Sequence, residues 1–256
     1  AGQLNTYFLD WLSEWKVTHL IVWWCSQSPD YDPLWKDLVP AAHARGIQVL
    51  RGFVPFRPDH EGAPPGLAVC RDSPRSTEPS NCPRDPEARE WYKNRLLDVA
   101  GREPRIDGIV IESPYHDGVC CTCPECRDNP VAETDIMDDL FKPLREAHPG
   151  IILGRCIKRA VPDSQAAARL LQELKPLDPV VDWYYNTCSE RADRIRWHDI
   201  GPKCGTYLRT FREVLKGDDP DCEINALFND LRAANERRVA VHGFCYRFYG
   251  GKYGSF

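Results

Sequence analysis

The chain has 256 residues, 33 Lys and Arg against 38 Asp and Glu, a formal charge of −5, and 42% hydrophobic residues. That balance, with 8 Trp, 10 Tyr and 9 Phe to fill a core, excludes disorder, and the mild acidity argues against nucleic acid as a partner. No apolar run approaches the roughly 18–20 residues a membrane span requires, so no membrane partner is expected.

The first predicted element is a helix over 4–16, where Leu4, Phe8, Trp11, Leu12 and Trp15 recur at spacings of three and four. THLIVWW (18–24) follows as a short apolar, β-branched run and reads as a buried strand. Pro33 opens a second helix and Gly46 closes it, while Pro40 inside it is expected to kink or break it. IQVLRGFVPF (47–56) is the next strand. A loop of about thirty residues, rich in Pro, Gly, Ser and Arg, comes after it, and loops of that length are usually functional or stapled.

The cycle then repeats. Helices over 85–100, 133–148, 164–175, 190–198 and 222–238 lead to strands over 106–113, 151–157, 180–186, 204–211 and 239–248. Helices alternating with largely apolar strands predict an α/β fold with parallel strands buried on both faces. Neither GxGxxG nor GxxxxGK[ST] occurs, which removes the main support for a nucleotide-binding sheet. Seven strands preceded by a helix fit a (β/α)8 TIM barrel, typically about 250 residues, whose first strand is missing or lies outside the sequence. An open parallel sheet is the alternative. A single barrel domain over residues 1–256, within a longer chain that has other domains, is expected.

Twelve cysteines include one dense group, Cys120, Cys121, Cys123 and Cys126. Cys121, Cys123 and Cys126 form C-x-C-x-x-C, and three soft thiolates on one turn supply all but one of the ligands that tetrahedral zinc wants. Cys82, in the loop beyond the preceding strand, fits as the fourth. Cys70 is the rival for that place, and Cys120 can replace Cys121 in a C-x-x-C-x-x-C frame. Disulfides, Cys70 with Cys82 and a pair within the group, or free thiols are the other readings.

The stretch NCPRDPEAREWYKNRLLDVAGREPRIDGIVIESPYHDGVCCTCPECRD, from Asn81 to Asp128, resembles a segment of glycoside-hydrolase-like TIM barrels. That segment reads Cys-Pro, Asn-or-Asp-Pro-Glu, helix, Asp-Gly-Ile strand, then a C-x-C-x-x-C turn. It occurs in hypothetical glycosyl hydrolase families, and zinc-containing β-galactosidases carry a similar four-cysteine site. The resemblance implies a structural zinc on Cys82, Cys121, Cys123 and Cys126; Cys120 is a departure from the pattern. It also implies a carbohydrate-processing fold more firmly than any particular substrate.

Counted in such a barrel, IDGIVIES is the fourth strand, and Glu112 stands near its C-terminal end, where barrel enzymes cluster their catalytic residues. In resembling retaining hydrolases that strand carries a catalytic carboxylate, and Glu112 is the position that corresponds. A salt bridge from Glu112 to Arg155 or Lys158 is the structural alternative. Glycoside hydrolysis needs a second carboxylate. The strand CGTYLRTF offers none, which leaves Asp182 as the best candidate, with Asp59, Glu61 and Asp117 on the mouth loops. Trp23 and Trp24, Tyr184, Tyr185 and Asn186, Tyr207 and Arg209, and His242, Tyr246 and Arg247 offer aromatic faces and hydrogen bonds suited to sugars. His116 lies close to Glu112 and the cysteines and can orient a substrate or ligate metal. The leading expectation is a glycoside hydrolase acting on a polysaccharide or oligosaccharide. A non-catalytic carbohydrate-binding barrel that has lost one acid is the alternative.

Overall fold

A computed structural model describes residues 6–14, 16–23, 32–57, 61–64, 66–67, 69–70, 80–102, 104–112, 123–129, 131, 133–157, 164–186, 204–209, 232, 236 and 241–245. The chain divides into two compact units, residues 1–155 with 177–182 and 256, and residues 156–176 with 183–255.

The first unit begins with α1 (Thr6–Glu14), β1 (His19–Trp23), α2 (Asp32–His43) and β2 (Gln48–Phe53). Two short strands, β3 (Val69–Cys70) and β4 (Ser80–Asn81), form an antiparallel pair within the long loop. Then follow α3 (Pro86–Gly101), β5 (Gly108–Glu112), α4 (Pro124–Asp128), α5 (Glu133–Ala147) and β6 (Ile152–Ile157), the last belonging to this unit up to Arg155. The long strands neighbour one another in the order β1-β2-β5-β6. β1 runs parallel to β2 with Ile21 opposite Leu50, and β2 parallel to β5 with Leu50 opposite Gly108.

Local chemistry sets the helix ends. After α1, Val17 N–H donates to Leu12 O and Lys16 N–H to Ser13 O, and after α2, Ile47 and Gly46 make the same pair of bonds to Ala42 and His43. Both ends are left-handed caps, with φ of 58° at Lys16 and 70° at Gly46, and only the second has the glycine that the motif favours. At α3, Asp85 is the N-cap, its side chain accepting from Glu87 N–H at 2.9 Å, and Pro86 fills the first turn where no N–H is needed.

Pro40, expected to kink or break its helix, does not break it: α2 continues through it to His43. Leu38, Val39 and Ala42 on either side are buried with Leu9, Leu12, Ile47 and Val49 in one apolar cluster. Burial of several such side chains, each worth about 1.5–3 kcal/mol, offsets the roughly 3 kcal/mol an interior proline costs. Trp11, expected on the buried stripe of α1, is instead exposed beside Tyr7.

Alternation along β2 fixes which side chains face which layer. Phe53 meets Tyr92 of α3 edge-on, ring centroids 6.3 Å apart, so Arg51 and Phe53 face the helices. Leu50 faces the other way: a Cβ built on Gly108 would lie 3.0 Å from Leu50 Cγ and 2.6 Å from the Ile152 carbonyl oxygen. Glycine at 108 is therefore what lets β5 approach its neighbour. Gly108, Val110 and Glu112 share that inner face by the same alternation.

In the second unit, α6 (Ser164–Leu174) precedes β7 (Trp183–Asn186), β8 (Cys204–Arg209) and β9 (Val241–Cys245), which neighbour in that order and run parallel. A register shift interrupts the β8–β9 pairing at Thr206 and Tyr207. A strand forms within each of the seven predicted ranges. The predicted helix over 190–198 lies outside the described residues, and that over 222–238 is described only at Arg232 and Glu236, both helical.

Candidate active site and metal centre

Glu112 closes β5, and every residue of that strand is buried. Its own relative exposure is 9%, against none for Ile109, Val110 and Ile111. The strand thus delivers one carboxylate, facing inward, at its C-terminal end. A carboxylate in such surroundings is costly unless it is bonded or put to use.

Just beyond the ends of β2 and β5, two loops bring thiols together. Cys82 Sγ lies 3.7 Å from Cys126 Sγ and 3.9 Å from Cys123 Sγ. All three sulfurs fall within 4.8 Å of one another. These distances are far longer than the roughly 2.05 Å of a disulfide. They match the sulfur–sulfur edge of about 3.8 Å in a tetrahedral ion bound by thiolates at about 2.3 Å. Cys123 is the N-cap of α4, Pro124 opens the turn, and Cys126 N–H donates to Cys123 Sγ at 3.4 Å. The C-P-E-C sequence thereby folds one sulfur back over the next. Cys120 and Cys121 lie outside the described residues, and Cys70 is described only by its place on β3.

The two thiol-bearing loops are tied by more than the thiols. Arg84 donates to the Asn129 carbonyl, across from the Cys82 loop to the end of α4. Arg89 of α3 donates to Pro83 O at 2.6 Å and pairs with Asp139 of α5 at 2.6 Å.

Glu61, one of the loop acids, is committed elsewhere. One oxygen accepts from Arg51 Nη2 at 2.7 Å and the other from Val54 N–H at 3.1 Å, all within the buried interior. Burial pushes the Glu61 carboxyl up from its usual range, with Arg51 and the Val54 N–H opposing the shift. Burial likewise pushes the Arg51 guanidinium down, with Glu61 opposing. The pair closes the helix-facing side of β2 and leaves Glu61 no part at the inner face.

Asp182 is placed at the opposite end of the strands from the one expected for a catalytic acid. β7 starts at Trp183, so Asp182 precedes it and does not lie within it. Its Oδ2 accepts from Arg145 Nη2 and from Leu153 N–H, both at 2.7 Å, and its own N–H donates to Leu153 O. Leu153 is the second residue of β6. A carboxylate bonded at a strand's start braces that start, and we assign it no catalytic role.

Among the other candidates, Tyr185 and Asn186 end β7 and Arg209 ends β8. His242 is the second residue of β9, towards its start. Tyr184 is buried and its hydroxyl donates to Leu174 O, which makes it part of the core. Trp24, His116, Tyr246, Asp59, Asp117 and Lys158 lie outside the described residues. Sequence reasoning did not anticipate the Arg51–Glu61 pair; a lone arginine inside an apolar strand was the available signal.

No protein-family model matches the chain, and no curated protein matches it. Solved structures do. A psychrophilic glycoside hydrolase family 10 endo-β-1,4-xylanase aligns with 82% of this chain and 71% of its own, at 14% identity and a TM-score of 0.50. A family 10 endoxylanase from a sugarcane soil metagenome covers 88% of this chain and 73% of its own, at 10% identity and a TM-score of 0.52. The O-GlcNAc hydrolase of Thermobaculum terrenum covers 80% of this chain but 43% of its own, at 13% identity and a TM-score of 0.54. The fold is therefore of the (β/α)8 barrel type found in glycoside hydrolases, and the open-sheet alternative falls away.

Proposed function

We propose that this chain is a glycoside-hydrolase-like barrel that acts on a polysaccharide or oligosaccharide through Glu112. The observation that carries the reading is the position of Glu112, facing inward at the C-terminal end of β5, in a fold whose structural neighbours are glycoside hydrolases. Catalytic groups of such barrels stand at that end. Glu112 serves as general acid/base or nucleophile. Its partner carboxylate has to stand about 5–5.5 Å away for retention or 6.5–9.5 Å for inversion. Glu61 is spent on Arg51 and Asp182 on Arg145, so we assign the second acid to the mouth loops that carry Asp59 and Asp117. Trp24, Tyr185, Asn186, Arg209 and Tyr246, with His116, are the proposed sugar-contacting set, and His242, towards the start of β9, is left out of it.

We further propose one structural zinc on Cys82, Cys123, Cys126 and Cys121. Four thiolates close a tetrahedral site and leave no position for water. The ion would fasten the loops after β2 and β5, and no chemical step passes through it.

One observation favours a second reading. Both described carboxylates that were considered as partners for Glu112 are bound to arginines, as expected of a barrel that binds carbohydrate without cleaving it. Assays on a panel of polysaccharides and aryl glycosides separate the two. Hydrolysis by the wild type that falls by about 10²–10⁴-fold in Glu112→Gln supports catalysis. Undiminished hydrolysis by Glu112→Gln would remove Glu112 from the reaction, and sugar binding without hydrolysis by the wild type would establish the binding barrel.

A further inference from the structure

The segment bearing Cys82 is held from behind by a hydrogen bond that the metal does not make. Tyr92, fully buried on α3, donates its hydroxyl to Asn81 Oδ1 at 2.7 Å, and Asn81 is itself fully buried. Asn81 N–H donates to Phe56 O at 2.9 Å and the residue pairs with Val69 across the β3–β4 hairpin. Cys82 is the next residue in the chain. The Tyr92 ring is locked in turn by Phe53, Phe56 and Trp91, with centroids 6.3, 4.9 and 4.8 Å away. A buried phenol needs a polar partner, and here that partner is the amide one residue from a thiol ligand. An aromatic wedge therefore fixes one polar atom, and that atom fixes the backbone from which the Cys82 sulfur projects.

We propose that Tyr92, acting through Asn81, is a positioning residue for the metal centre, setting its affinity by holding Cys82 at the spacing from Cys123 and Cys126 that a shared ion requires. This rests on the zinc assignment above. The physical reason is preorganisation. Three thiols already within 4.8 Å of one another, with Cys82 3.7 and 3.9 Å from the other two, require little reordering to bind, and partners behind the ligands typically govern affinity by about 10–100-fold. Arg89 on Pro83 O holds the residue on the other side of Cys82, so the ligand is gripped from both sides.

The test is zinc affinity by chelator competition, together with the thiolate-to-cobalt charge-transfer spectrum, on the whole chain. Tyr92→Phe keeps the ring and removes only the donor. It is expected to weaken zinc about 10–100-fold and to perturb the cobalt band, while still binding one ion. Asn81→Ala should weaken it similarly, and the double variant no further than the worse single one, because both delete the same bond. Arg145→Lys, which disturbs stability at the other end of the strands, should leave affinity unchanged and so separates positioning from a general loss of stability. Affinity and spectrum unaltered in Tyr92→Phe, or additive losses in the double variant, would overturn the proposal while leaving the metal site standing. A wild type that takes up no zinc or cobalt would overturn the zinc assignment itself.

Discussion

The two ends of the first unit's strands set their acidic side chains in different surroundings. At the starting end, Asp107 and Asp182 are bound alike. Asp107 Oδ2 accepts from His43 Nε2 and from Val49 N–H, both at 2.7 Å, and Asp182 Oδ2 accepts from Arg145 and from Leu153 N–H at the same distance. In each case a cation-capable side chain in the last turn of a helix, the aspartate before a strand and the second residue of the adjoining strand are joined through one oxygen. Arg145 extends its clasp to the carbonyls of Pro149, Ile151 and Val180. At the far end, Glu112 is buried on the inner face, and the loops beyond it collect thiols. The difference teaches a division of labour: the starting end satisfies strand termini and carries stability, and the far end is where we place the chemistry.

Glu61 offers the strongest challenge to that division, because it lies beyond β2 yet is bound as structure. Glu61→Ala leaves Arg51 buried without its partner and is expected to cost about 3–5 kcal/mol in urea unfolding. The double change Arg51→Met with Glu61→Leu should cost far less. A loss of activity in Glu61→Ala without loss of stability would make Glu61 part of the mouth after all. A pH signature goes with it. Burial raises the Glu61 carboxyl above its ordinary value of 4.5, so folding favours its protonated form. Its contribution is fully present below pH 4.5 and is lost as pH rises through the raised value. Glu61→Gln should abolish that slope when unfolding is followed across this range.

Arg145→Ala comes next. It removes bonds to three carbonyls and to Asp182, and the expected loss is about 2–4 kcal/mol, with zinc affinity untouched. Gly108→Ala should cost about 1–3 kcal/mol through overpacking against Ile152, read as a lower thermal midpoint. His43→Ala, whose pair with Asp107 is largely exposed, should cost no more than about 1 kcal/mol. A change of zinc affinity in either clasp variant, Arg145→Ala or His43→Ala, would blur the two ends.

Much of this fold is legible in the sequence because parallel strands buried on both faces spell continuous apolar runs, as IQVLRGF and GIVIE do. Gly46 and the Asp85-Pro86 pair announce helix ends for reasons that hold in the structure. The cysteine grouping is legible too, since strand ends on one face place Cys82 near Cys123 and Cys126. Other features depend on partners distant in the chain. VVDWYYN reads as one strand, yet the strand begins only at Trp183. That shift in boundary takes Asp182 from early in the expected strand to just before it. Arg51 finds Glu61 ten residues on, and Tyr92 finds Asn81 across a helix start; neither pairing leaves a periodic trace. Pro40 survives in α2 because of tertiary burial, which propensity does not register.

The same acid-to-amide change made at each end tests the central claim most directly. Glycosidase turnover would be compared in Glu112→Gln and Asp182→Asn, with unfolding free energy measured on both. Glu112→Gln should lose about 10²–10⁴-fold in rate and keep its stability, while Asp182→Asn should keep its rate and lose about 1–3 kcal/mol of stability. Turnover that collapses in Asp182→Asn and persists in Glu112→Gln would contradict the division between the ends and return the chemistry to Asp182.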